Sequence, residues 1–347
     1  AGKNANVDLH LGKLHEYVSG NCTPKDMETM FQMNYLYFTN IKKDEQSVNT
    51  LLNQYRTILK NKALSPESAL QDSLTYTLHS HSPWYISLDE KDIDKVNYDR
   101  ILQIAKERTA NAADFTFTIV GNFDEALVRK YIEQYIASLP SVKKGKKYVH
   151  ENWKAYSVYA KGNIDNTFYR KQETPKSNIY MFWYNNNVPF TLDNSIKADA
   201  AGQVLDMVYL KIIREEQSAA YSASAGGFSQ LGGDTPWTAI YGYCPVKPEK
   251  KDIAIKIMRE EMNNLGNKVD ADMLKKTKDL MLKQYDDALK TNRYWMNVIT
   301  DFDEYGVDKD TDYKALVNAL TPASVAKFVK DNIIGKNSVS VIMLPQE

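Results

Sequence analysis

Apolar and polar positions along this chain fall into one pattern that is met twice. In its first half, short alternating runs over Val7–Leu11 and Leu14–Val18 predict two strands. Thr23-Pro24 then opens a helix through Met27, Met30, Phe31, Asn34 and Leu36; a second covers Gln46 to Lys60, and a third starts at Ser65-Pro66. Asn97-Tyr98-Asp99 opens a fourth helix to Arg108, and Phe115–Val120 reads as a strand. In the second half, Ala220–Phe228 and Trp237–Cys244 predict strands, followed by helices near Pro248, over Asp270 to Leu289 and over Arg293 to Tyr305. Thr321-Pro322, an N-cap followed by proline at the first helical position, opens the last helix, and Ser338–Leu344 is the last strand.

The repeated order is strand, strand, four helices, strand, the signature of a duplicated unit. The second copy has more at its front. Ser177–Tyr184 predicts a strand, and Asp193 to Glu216 a long helix with Ala201, Leu205, Val208, Tyr209 and Ile212 on one face. Nothing comparable stands before the first copy, which is therefore read as cut short on its N-terminal side. Strand pairs followed by clustered helices predict α+β architecture, each copy an antiparallel-rich sheet with helices packed on one face. Residues 1–140 are assigned to the first domain, 141–165 to a linker and 166–347 to the second. The basic, aperiodic Ser141–Lys147 reads as exposed connector, and Tyr148–Arg170 is expected to return to one of the sheets.

Composition narrows the function classes. Lys plus Arg and Asp plus Glu both number 44 in 347 residues, so no net charge draws the chain to nucleic acid or to an anionic membrane. No apolar run approaches the ~18 residues of a membrane span. Cys22 and Cys244 define neither a disulfide framework nor a metal cluster, and their pairing stays open. The 23 tyrosines suit half-buried strands and wet binding surfaces alike.

The five histidines are His10, His15, His79, His81 and His150, and neither H-E-x-x-H nor H-x-x-E-H occurs. His79-Ser80-His81 reads as a surface pair near a helix end, and His10 and His15 as exposed turn residues. Gly226-Gly227 and Gly232-Gly233 read as hairpin-loop glycines, since they open no helix and form no phosphate loop. The strongest constellation runs from Leu210 to Ser222, where a long helix ends in charge and a strand starts at Tyr221. Arg214 and Tyr221 could face one way there, a guanidinium and a phenol able to donate to a peptide carbonyl or developing oxyanion. A dipole-capping arginine and a core tyrosine would be the structural alternative.

Arg214–Ser224 resembles the Arg-x6-Tyr signature of pitrilysin/insulinase-type zinc peptidases. Phe115–Asp124, continued by Tyr131 to Leu139-Pro140, is similar to the same family's strand, Val-Gly-Asn, helix, Ser-Leu-Pro element. Ser19-Gly20 with Pro24-Lys25-Asp26 fits the family's third repeat, and Leu344-Pro345 the end of its fourth. The resemblance implies the metallopeptidase-homology fold and a C-terminal half built from the third and fourth family domains. It implies that Arg214 and Tyr221 contact the substrate near the scissile bond. Zinc and the catalytic Glu would come from an N-terminal half, or from a partner subunit, acting on peptides or unfolded proteins. This chain would hold no metal or cofactor and hydrolyse nothing alone. A catalytically inactive scaffold of the same fold is the competing reading, and a bacterial periplasm or envelope the expected compartment.

Overall fold

A computed structural model describes residues 2–142, 158–220, 222–232 and 235–346. Contacts group the described residues into two compact units, those of Ala1–Asn61 with Leu88–Glu151 and those of Lys62–Ser87 with Asn152–Glu347.

The first unit opens with a hairpin of β1 (Ala5–Leu11) and β2 (Glu16–Cys22). The strands pair antiparallel from Ala5 opposite Cys22 to Leu11 opposite Glu16, and Gly12 N–H closes the turn on the His15 carbonyl at 2.9 Å. That register draws Leu14, expected at the head of a strand, into the turn. A 3-10 turn at Pro24–Asp26 leads to α1 (Met27–Thr39), followed in sequence by α2 (Glu45–Leu64), α3 (Pro66–Leu78), α4 (Tyr98–Thr109) and α5 (Glu125–Tyr131). Caps fall where the sequence puts them: Ser65 accepts from Ser68 N–H at α3, and Asn97 from Arg100 N–H at α4. α5 widens at its end into a π turn over Ile132–Ile136. Met27, Phe31, Val128 and Tyr131 form the core of this unit.

One expectation fails here. Phe115–Val120 belongs to no sheet. A strand is defined by its ladder, and no described strand runs beside this segment; instead Phe115 and Phe117 pack on the Phe38 ring of α1, at 4.9 and 5.8 Å between centroids.

In the second unit five strands, β3 (Asn163–Arg170), β4 (Ser177–Asn185), β5 (Ser224–Gly232), β6 (Thr235–Val246) and β7 (Asn337–Pro345), hydrogen-bond in the order β3-β7-β4-β6-β5. β3 runs parallel to β7, and the other ladders are antiparallel. The helices are α6 (Leu192–Tyr209), α7 (Lys251–Leu265), α8 (Ala271–Ala288), α9 (Asn292–Tyr305), α10 (Tyr313–Ala319) and α11 (Pro322–Asn332).

β4 is buried on both faces, as its near-continuous apolar sequence requires. Ile179 and Met181 point to a core shared with Val204 and Leu205 of α6, Met258 of α7, Leu274 of α8 and Val329 of α11. Each of these large side chains contributes roughly 1.5–3 kcal/mol by leaving water. Tyr180, Phe182 and Tyr184 point to the other face, into an aromatic cluster with Trp237 and Tyr241. Part of that face is covered by α3, whose Leu70, Leu74 and Leu78 cluster with Val339, Val341 and Met343 of β7. α3 follows α2 in sequence, yet its apolar stripe is spent in the second unit. The architecture is thus α+β with antiparallel-rich pairing. Residues 143–157 of the expected linker region lie outside the described residues, while β3 takes up the end of the segment expected to return to a sheet. Among the described residues no helix is long and apolar enough to cross a membrane.

Candidate functional site

Arg214 sits where it does because α6 lies unusually close to the sheet. A Cβ added to Gly202 would come within 2.0 Å of Gly227 N, and one added to Gly227 within 1.9 Å of the Ala198 carbonyl oxygen. The helix and β5 therefore meet backbone to backbone, with no side chain between them. Gly226-Gly227 is not a hairpin loop, as the sequence reading had it, but the interior of β5, left bare for α6. Asp206 fastens the same crossing by accepting from Ala225 N–H at 2.9 Å.

The end of α6 is held as firmly. Tyr209 is fully buried and donates its hydroxyl to the Met258 carbonyl at 2.7 Å. Gly242 makes room for its ring, since a Cβ there would stand 2.7 Å from Tyr209 Cε2. Burial drives the phenol's pKa well above its ordinary value, so Tyr209 stays a neutral donor.

Beyond Tyr209 the chain does not continue as the α-helix expected to Glu216. Leu210–Glu216 forms a π turn, with Gln217 N–H donating to the Ile212 carbonyl at 3.0 Å. Such widened turns recur at functional positions because they re-aim side chains that a regular helix would stack. Ile213 points inward and is 0% exposed, while its neighbours Lys211, Arg214, Glu215 and Glu216 are exposed. The exit is equally specified. Ser218 adopts a left-handed backbone at φ 46°, Ala219 N–H donates to the Ile213 carbonyl at 3.0 Å, and Ala220 bridges to Val246 at the end of β6. A non-glycine residue in that conformation costs of order 1 kcal/mol. The turn is thus pinned at Ile213 and Ala219, and the Arg214 side chain stands on its outside.

Of the two residues singled out from sequence, the structure therefore places Arg214. Tyr221 lies outside the described residues. The close α6–β5 crossing was missed by sequence reasoning, although Ala198-x3-Gly202 in a helical stretch and Gly226-Gly227 in a strand-like one are its signals.

His79 corrects another expectation. It is 8% exposed rather than on the surface, its ring stacks on Tyr85 at 3.5 Å, and its Nδ1 lies 2.8 Å from the Val158 carbonyl oxygen. Ser80 and His81 both take positive φ, so the helix ends between the two histidines and their side chains part. His81 instead meets the Tyr76 ring edge-on. Among the described residues no three His, Cys, Asp or Glu side chains stand close enough to hold a metal ion. Cys22 and Cys244 are both free thiols.

Residues 95–281, more than half of the chain, match the family model of the peptidase M16 inactive domain. The chain belongs to that family, the pitrilysin-like peptidases, as the resemblance of its motifs implies. No curated protein matches the sequence. Among solved structures, the periplasmic protease PqqL from Escherichia coli superposes with a TM-score of 0.78 at 19% identity. The ferredoxin protease FusC, solved in complex with Arabidopsis ferredoxin, does so at 0.74 and 14%. Both likenesses cover 99% of this chain but 37% of the other, so the chain spans little more than a third of those proteases. A peptidase M16 inactive domain from Pseudomonas fluorescens matches at 0.73 and 13%, covering 99% of this chain and 82% of that one.

Proposed function

We propose that this chain is the substrate-binding half of a zinc-dependent peptidase, the zinc and general-base carboxylate being carried by a partner half. Three things support the reading: membership of the M16 inactive-domain family, a fold shared with 37% of the protease PqqL, and the presentation of Arg214. The last carries it furthest. Arg214 is exposed on a turn whose backbone is pinned from both sides, and a guanidinium carries several N–H donors in a fixed fork.

In this reading Arg214 donates to the carbonyl oxygen of a bound peptide and holds it as negative charge develops there. Tyr221, seven residues on, donates its phenolic O–H to the same region. Neither is nucleophile or base. Zinc on the partner half supplies an activated water. The substrates are peptides or unfolded proteins, and PqqL's periplasmic location supports a bacterial periplasm or envelope for this protein too.

Arg214→Ala and Tyr221→Phe in the assembled enzyme are expected to lower turnover by roughly 10²–10³ each, the usual loss for one oxyanion-type donor. Unchanged turnover in both variants would leave the chain a scaffold. Chelator-sensitive cleavage of a denatured peptide by the purified chain alone would overturn the division of labour.

A further inference from the structure

His79 and His81 take no part in the site around Arg214, yet each holds one wall of a cavity. The cavity, about 270 Å³, opens between α3 and the chain that follows it, and is lined by Asp72, Ser73, Tyr76, Tyr85, Ile86 and Ser87. The Tyr85 ring lies flat on the buried His79 ring, 3.5 Å between centroids and 2° between planes, and His79 is itself tied through Nδ1 to the Val158 carbonyl. The Tyr76 ring meets His81 edge-on at 4.0 Å.

The two imidazoles serve different walls because the backbone turns between them. Ser80 and His81 both take left-handed φ, 51° and 60°, and His81 N–H closes on the Tyr76 carbonyl at 2.8 Å. Consecutive non-glycine residues seldom adopt that conformation, and such strain persists only where the surroundings fix it.

The rim is polar, with its acceptor capacity partly used. Ser73 Oγ accepts from Asn166 Nδ2 at 3.0 Å and Ser87 Oγ from Lys62 Nζ, so each hydroxyl keeps its O–H to donate. The Asp72 carboxylate is balanced by the same Lys62 ammonium at 2.9 Å. The cavity thus offers two aromatic walls and an isoleucine to an apolar group, and hydroxyl donors to an acceptor beside it, with no net charge to satisfy. Sites that enclose a whole small molecule usually span about 300–1,000 Å³, so this volume suits a single side chain better.

We propose that the cavity is an anchoring subsite for one aromatic side chain of an extended peptide, the neighbouring peptide carbonyl accepting from Ser73 or Ser87. The inference rests on the peptide-binding function proposed above and adds a side-chain preference to it. The guest ring would cover Tyr76 and Ile86, which are 44% and 59% exposed, and would pack against aromatic walls already fixed in place. α3 lies on the face of the sheet opposite α6, so the subsite is a second hold on the substrate rather than another contact at Arg214.

The test titrates the whole chain with N-acetyl-Ala-Phe-Ala-amide and with its all-alanine counterpart, read by the Ile86 methyl resonance. The phenylalanine peptide is expected to shift that signal saturably, and the alanine peptide to leave it in place. Ile86→Asp, followed by the amide signals of 72–76, is expected to weaken binding about tenfold or more, since the ring would bury an unpaired charge. His81→Asn tolerates the left-handed backbone but removes the ring that braces Tyr76, and is expected to weaken binding several-fold. Leu280→Asp, an equally exposed change on α8, is expected to leave affinity unaltered. No saturable shift, equal binding of both peptides, or full affinity in Ile86→Asp and His81→Asn would overturn the subsite. Those failures, with turnover of the assembled enzyme still dependent on Arg214, would leave the functional reading standing; binding here with Arg214→Ala and Tyr221→Phe at full turnover would overturn that reading instead.

Discussion

Replacing Gly227 by alanine would place a methyl group 1.9 Å from the Ala198 carbonyl oxygen, where an ordinary contact needs 3.4 Å. The obstacle is backbone on both sides, so no side chain can swing away. Either α6 lifts off the sheet by about 1.5 Å or β5 bends. A lift of that size would open gaps along the whole buried face of α6, which carries Ala201, Val204, Leu205 and Tyr209. A gap of 0.5–1 Å already forfeits roughly a quarter to a half of each contact's dispersion energy. The cost is therefore expected at the upper end of overpacking, about 3 kcal/mol or more. The assay is urea unfolding followed by tryptophan fluorescence, with Gly306→Ala as the comparison. Gly306 ends α9 at φ +67° with nothing within 4 Å of an added Cβ, so its cost is purely conformational, about 1–2 kcal/mol. Because α6 also carries the turn that bears Arg214, Gly227→Ala is expected to lower turnover of the assembled enzyme as well, and Gly306→Ala to leave it alone. An unfolding midpoint for Gly227→Ala equal to that of the unaltered protein, or a smaller loss than for Gly306→Ala, would refute the argument from close approach.

Two further predictions concern titrating groups. Cys244 is fully buried, which pushes its thiol up to about 12, so it is expected to resist alkylation in the native state at neutral pH. The unfolded thiol ionises near 9.0 and the folded one about three units higher. Between those values the unfolded state binds fewer protons, and stability falls by up to about 1.4 kcal/mol per pH unit. Cys244→Ala should flatten that alkaline slope, and an unaltered slope would count against the assignment. Asp26 behaves oppositely: the Asn4 N–H and then the Thr23 hydroxyl, at 2.9 and 2.8 Å, hold its carboxyl below the usual carboxylate range. Its contribution is present above the ordinary pKa and lost as pH falls through the lowered one. Asp26→Asn is expected to reduce stability at neutral pH and to soften the acid limb of the pH–stability curve; equal loss at pH 2 and pH 7 would speak against it.

What could be read from the residues alone was local. Helix starts were legible at Ser65-Pro66, Asn97 and Thr321-Pro322, because a cap is satisfied within three or four residues of itself. The hairpin-then-helix order of both copies and the Arg214-to-Tyr221 motif were legible for the same reason: period and spacing are written in consecutive positions. Tertiary structure decided whatever depends on a distant partner. Phe115–Val120 has a strand's sequence, but strand status needs a neighbouring ladder, which the segment cannot supply for itself. Gly226-Gly227 looks like a turn until α6 is seen to rest on it. α3 carries an apolar stripe that says only that it is buried, and β7 decides against what. His79, polar and near a helix end, is buried because Tyr85 and the Val158 carbonyl give its ring a face and a partner. The π turn that holds Arg214 outside is likewise set from afar, by the buried Tyr209 and Ile213 on one side and the Ala220–Val246 bridge on the other.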